Sequence, residues 1–75
     1  MPLGRMIHDE DLGRLVDALV TLPYEQREVI VLHLQGDLTF REIAVVQGMS
    51  INTVRSRYRY GIDSLRSMLN GEVEK

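Results

Sequence analysis

The sequence predicts an all-α fold, a compact four-helix domain with a C-terminal helix-turn-helix and no winged element. Three observations predict it. Apolar residues recur at helical spacing along the chain. Pro23, Gly36 and Gly48 divide the chain into helix-length segments. The stretch from Thr39 to Tyr60 reads as a short helix, a glycine turn and a second helix carrying arginines at alternate positions. At 75 residues the chain has room for one small domain, whose marginal core calls for well-matched helix packing or a partner.

The first helix is expected from Asp9 to Val20. Leu12, Leu15, Val16, Leu19 and Val20 fall at i, i+3, i+4, i+7 and i+8, a single apolar stripe. Asp9, Glu10 and Asp11 stand at its start, where the helix dipole favours negative charge. Capping is therefore the better reading of this trio than metal binding, which needs a cage of oxygen ligands. Pro23 ends this helix and begins the second, because a proline in the first helical turn sacrifices no hydrogen bond.

The second helix is expected from Tyr24 to Gln35. Val29, Ile30, Val31, Leu32 and Leu34 make it apolar nearly all round, the pattern of a central core helix. Gly36 follows as its C′ residue. His33 reads as a core or boundary side chain, since no second metal ligand stands near it. Thr39 and Glu42 form a T-x-x-E capping box that opens a third helix, Phe40 to Gln47. Phe40, Ile43, Ala44 and Val46 are expected to face inward. Gly48 supplies the positive φ of a tight turn, and Ser50 caps a fourth helix that reaches about Leu69. Residues 1–8 are expected to be a flexible N-terminus, 9–70 the domain with its helix-turn-helix at about 39–60, and 71–75 a frayed tail.

Charge is unevenly placed. The net charge is −2, yet residues 50–60 carry three arginines and no acid, while residues 1–35 carry six acids against three arginines. A local basic face, rather than the global sum, is the electrostatic footprint of a nucleic-acid binder. At about 100° per residue, Val54, Tyr58, Leu65 and Leu69 form the packing stripe of the fourth helix. Asn52, Arg55, Ser56 and Arg59 recur on the opposite side. Arginine pairs bidentately with guanine and asparagine with adenine, so these side chains suit base readout in the major groove, with Thr53 and Ser56 able to donate to bases or phosphates. Arg57 falls off this stripe and is expected to reach a phosphate or an acid such as Glu42. Arg41 stands at the start of the third helix, where free backbone N–H groups favour a phosphate; Thr39 and Ser50 are further backbone-contact candidates.

Other functions find little support. The chain has no cysteine, hence no disulfide framework or thiolate metal site, which fits a reducing cytoplasm. No apolar run approaches the roughly 18 residues of a membrane span. The opening Met-Pro-Leu-Gly-Arg has no apolar signal-peptide core, so a cytoplasmic protein is expected. There is no Ser-His-Asp or Cys-His set, no glycine-rich phosphate loop and no metal-ligand cluster. No enzyme activity, cofactor, metal or small-molecule substrate is expected.

A family resemblance runs through residues 10–69. Leu22-Pro23-x-x-x-Arg27-Glu28-Val29, then Gly36-x-Leu38-Thr39-Phe40-x-Glu42-Ile43-Ala44, then Gly48-Met49-Ser50-x-x-Thr53-Val54-Arg55-Ser56-Arg57 and Leu65-Arg66 resemble region 4 of bacterial RNA polymerase sigma factors, the extracytoplasmic-function (ECF) type most of all. The resemblance implies recognition of the upstream, minus-35 promoter element through the fourth helix. It also implies docking on the flap of the polymerase β subunit and capture by an anti-sigma factor. Asn52, Thr53, Arg55, Ser56 and Arg59 become promoter-facing by this match, and Arg41 and Arg57 backbone contacts. Three departures stand out. Gln47 occupies a position usually apolar, which weakens the contact before the turn. Tyr60, Ile62 and Asp63 replace frequent basic residues, which thins the phosphate grip beyond Arg59. The promoter-melting region 2 is absent, so a C-terminal piece of a longer sigma factor is expected over a stand-alone protein.

Two further readings share the fold. One is the output domain of a two-component or quorum-type regulator, which also carries Thr-Val-Arg after a glycine turn; Leu22-Pro23 and Ser56-Arg57 favour the sigma reading. The other is an interaction module that binds polymerase or an anti-sigma factor without reading DNA.

Overall fold

The computed structural model describes residues 9–70. The segments 1–8 and 71–75, expected to be a flexible end and a frayed tail, lie outside the described residues, as do the side chains of Asp9, Glu10 and Asp11. Four helices follow in order: α1 (Asp9–Thr21), α2 (Tyr24–Leu34), α3 (Phe40–Gln47) and α4 (Ile51–Asn70). There is no strand, and so no wing, among the described residues.

The chain forms two cores that meet at one tyrosine. Ala18, Leu22, Ile30 and Leu65 build the first, flanked by Leu19, Ile62, Met68 and Leu69. Val29, Ile43 and Val54 build the second, flanked by Leu32, Leu38, Phe40 and Ala44. Tyr58 packs against both. All three shorter helices pack on α4. At 20 residues and about 1.5 Å per residue, α4 is long enough to serve the α1 core at one end and the α3 core at the other.

α4, rather than α2, is therefore the central helix. α2 buries only Val29 and Ile30 and leaves Val31 and Leu34 exposed. The buried side of α1 also differs from the predicted stripe. It turns toward Ala18 and Leu22, leaving Val16 and Val20 exposed. Each valine stands two positions from Ala18, about 200° around the helix, and a single neighbouring helix covers only one side. Val46 is likewise 59% exposed. The inward arc of α3 centres between Ile43 and Ala44, and Gln47 rather than Val46 lies on it.

The helix ends are closed by identifiable groups. Arg27 donates to the carbonyls of Val20 (3.1 Å) and Leu19 (3.4 Å), satisfying the C-terminus of α1. Arg14 donates to Leu69 O at 2.6 Å and does the same for α4. After α2 the left-handed residue is Asp37 (φ 59°), not Gly36. Gly36 is needed for space: a Cβ there would sit 2.8 Å from Leu32 O and 3.2 Å from Leu38 Cδ1. Leu38 N–H donates to that same Leu32 carbonyl at 3.0 Å, so the chain must pass close to it.

Candidate nucleic-acid interface

The segment from Thr39 to Tyr60 folds as the capping chemistry dictates. Thr39 N–H donates to Glu42 Oε1 (2.8 Å) and Glu42 N–H donates to Thr39 Oγ1 (3.1 Å), the full reciprocal box. Gly48 adopts φ 67°, ψ 34° and donates to Ala44 and Val45 carbonyls, and Met49 N–H also donates to Ala44 O. A left-handed turn of this kind ends a helix without leaving its last carbonyls unpaired. Ser50 Oγ then accepts from Thr53 N–H at 3.2 Å and donates to Thr53 Oγ1 at 3.0 Å. The capping box thus fixes where α3 begins, the glycine turn and the Ser50 cap fix where α4 begins, and Ile43 and Val54, both fully buried against Val29, fix how α4 lies on α3 and α2.

His33 braces the approach to this motif. Its Nδ1 donates to Leu38 O at 2.8 Å, since a carbonyl can only accept. The ring stacks on Phe40 at 4.5 Å and meets Tyr58 edge-on at 5.1 Å. It is a half-buried boundary side chain. No group of three or more potential metal ligands occurs among the described residues.

Asn52, Arg55, Ser56 and Arg59 are all exposed along α4, away from Val54, Gly61 and Leu65, which are buried. Thr53 is half-buried, with its hydroxyl engaged by Ser50. Arg41 and Thr39 are exposed at the start of α3. Among the described residues, Arg41, Arg55 and Arg59 pair with no carboxylate; the one ion pair is Arg66–Asp63 at 3.7 Å, with both side chains exposed. An unpaired guanidinium on a polar helix face is chemically suited to a base edge or a phosphate. Of the positions that thin the basic tail, Tyr60 is exposed and Asp63 pairs with Arg66. Ile62 packs against the first core, so the fold itself uses that residue.

Arg57 does not meet Glu42, whose carboxylate is committed to the capping box. It is half-buried and its Nη1 donates to Gln47 Oε1 at 2.8 Å. Gln47 in turn donates through Nε2 to Glu28 Oε1 at 2.9 Å and to Glu25 O at 3.3 Å. Glu28 Oε2 accepts from the Tyr24 hydroxyl at 2.9 Å. That hydrogen bond, followed by the charge of Glu28, holds the Tyr24 hydroxyl above its ordinary pKa. Gln47 is therefore no weakened contact, as its sequence position suggested, but a link between three helices. Arg27 and Glu28 carry no assigned role in the sequence pattern; in the fold Arg27 closes α1 and Glu28 joins Gln47 to Tyr24 in this polar chain. The partners on other helices, Val20 for Arg27 and Gln47 for Glu28, lie 7 and 19 positions away, beyond any local motif.

Comparison with known proteins places the chain in a family. The family model described as sigma-70, region 4 matches residues 12–62. The chain is 38% identical over 61 residues to the ECF RNA polymerase sigma factor RpoE of Cereibacter sphaeroides, covering 81% of this chain and 34% of that relative. It is 35% identical over 69 residues to the RNA polymerase sigma factor SigV of Bacillus subtilis, covering 92% and 41%. It is 39% identical over 67 residues to the RNA polymerase sigma factor CarQ of Myxococcus xanthus, covering 88% and 38%. The chain thus spans roughly a third to two fifths of the length of these relatives. No solved structure matches it.

Proposed function

The chain belongs to the sigma-70 region 4 family, and on that premise we propose that it binds the minus-35 element of promoter DNA as the region 4 domain of an RNA polymerase sigma factor. The observation that carries the reading is the exposed row Asn52, Arg55, Ser56 and Arg59 on the first half of a helix whose start is fixed by a glycine turn and a serine cap. Arg55 and Arg59 read base edges, with Asn52, Ser56 and Thr53 beside them. Arg41, Thr39 and Ser50 hold the phosphate backbone near the two helix N-termini, where the dipoles favour an anion.

Polymerase and an anti-sigma factor are the protein partners of this reading. The exposed Val16, Val20, Val31 and Leu34 of α1 and α2 supply apolar surface for such a partner. Docking on the β flap adds avidity, which raises the effective affinity of a weak isolated domain. The reading places the protein in the cytoplasm and assigns it no chemical step, cofactor or metal. No helix among the described residues is long and apolar enough to cross a membrane.

The test is selection of duplexes from a random pool by the intact chain, followed by titration of the selected and a random duplex at several salt concentrations. Each phosphate neutralised by an arginine adds about −0.9 to the logarithmic salt slope, so a clearly negative slope is expected. A slope near zero would remove the DNA-binding reading; strong polymerase binding with no duplex binding would select the interaction module instead.

A further inference from the structure

We propose that Gln47 is a positioning residue for α4, and that the chain it organises makes Arg57 a scaffold cation rather than a DNA contact. The inference rests on the DNA-binding reading above only for its second half. Four side chains lie head to tail: Arg57 Nη1 donates to Gln47 Oε1 (2.8 Å), Gln47 Nε2 donates to Glu28 Oε1 (2.9 Å), and the Tyr24 hydroxyl donates to Glu28 Oε2 (2.9 Å). A carboxamide can accept from a cation and donate to an anion at the same time. An apolar side chain at this position would do neither, and a carboxylate would face Glu28 with like charge. Gln47, Glu28 and Arg57 are all half-buried, where such bonds are stronger than in water.

The chain spans α2, α3 and α4, so it constrains the angle at which α4 leaves the turn. It also sorts the arginines. Arg55 and Arg59 are four residues apart and share a side of α4. Arg57 lies about 200° from each, on the side that meets Gln47 and, through it, α2.

Two measurements on the intact chain test this. In titrations of a mixed-sequence duplex, Arg41→Gln, at the phosphate-contact position that opens α3, flattens the logarithmic salt slope by about 0.9, whereas Arg57→Gln leaves the slope unchanged while lowering the Tm. Equal flattening by the two variants overturns the scaffold assignment. In thermal unfolding, Gln47→Glu lowers the Tm, and adding Glu28→Gln restores it, because the double variant again carries one carboxylate and one amide between Arg57 and Tyr24. Absence of that rescue overturns the positioning role. A chain that binds no duplex at all defeats the DNA reading and the scaffold contrast built on it, and the thermal rescue still decides whether Gln47 positions α4.

Discussion

Residues 51–60 and 61–70 of α4 belong to one continuous helix and pack on different neighbours. The first half lies on Val29 and Ile43 through Val54, all three fully buried, and is pinned by the Ser50 cap, the Gly48 turn and the Arg57–Gln47 bond. Its outward side is polar and holds two arginines without an acidic partner among the described residues. The second half lies on Ala18, Leu22 and Ile30 through Leu65, a core slightly more open to solvent. Its exposed charges, Asp63 and Arg66, pair with each other. The contrast shows how a small fold aims a helix. Both halves are anchored by packing, and because the helix is unbroken, the two cores together set the direction of its exposed polar row.

Six substitutions put the contrast between the two halves to the test. The largest effect belongs to Ile43→Ala. Truncating a fully buried isoleucine costs about 2–5 kcal/mol, a large share of the stability of so small a domain. Urea unfolding measures it, and Leu65→Ala, starting from a residue 7% exposed, is expected at the low end of that range. A larger loss at Leu65 would reverse the ranking of the two cores.

Next is Arg55→Ala, which is expected to cost about 1–3 kcal/mol of binding to a selected duplex and to relax specificity at one base. Arg66→Ala, on the second half, should change the same binding by no more than about 0.5 kcal/mol. Equal losses on selected and random duplexes for Arg55→Ala would refute base readout by that side chain.

Ser50→Ala removes the cap on Thr53 N–H and is expected to cost about 1 kcal/mol, measured by thermal unfolding; no change in Tm would mean that the turn, not the cap, fixes the start of α4. Smallest is Asp63→Asn. An exposed i,i+3 pair contributes less than about 0.5 kcal/mol, and unfolding at low and high salt should hardly separate this variant from the parent. A clear, salt-sensitive loss would show that the second half depends on charge as well as packing.

The parts of this fold legible in the sequence are those with local backbone causes. The capping box at Thr39 and Glu42, the left-handed Gly48 and the Ser50 cap each need only residues within a few positions, and the bounds of α3 follow from them. The exposed row on α4 was legible as well, because a 20-residue helix samples every direction and its apolar residues mark the covered side. What was not legible depends on distant partners. Whether Val16 or Ala18 faces inward depends on where α4 crosses α1. Gly61 looked unremarkable within α4, yet a Cβ there would lie 2.7 Å from Ile30 Cδ1, so α2 and α4 make a close approach at that glycine. Gln47 appeared to be a defect because its partners stand on two other helices.

On the proposed reading, the first half of α4 faces DNA and the second half does not. An NMR titration of the intact chain with mixed-sequence duplex at low salt tests it most directly. Amide shifts are expected to concentrate at residues 39–42 and 50–60, with 61–70 nearly unmoved. Shifts centred on 61–70 or on α1, with Asn52, Arg55, Ser56 and Arg59 silent, would contradict it.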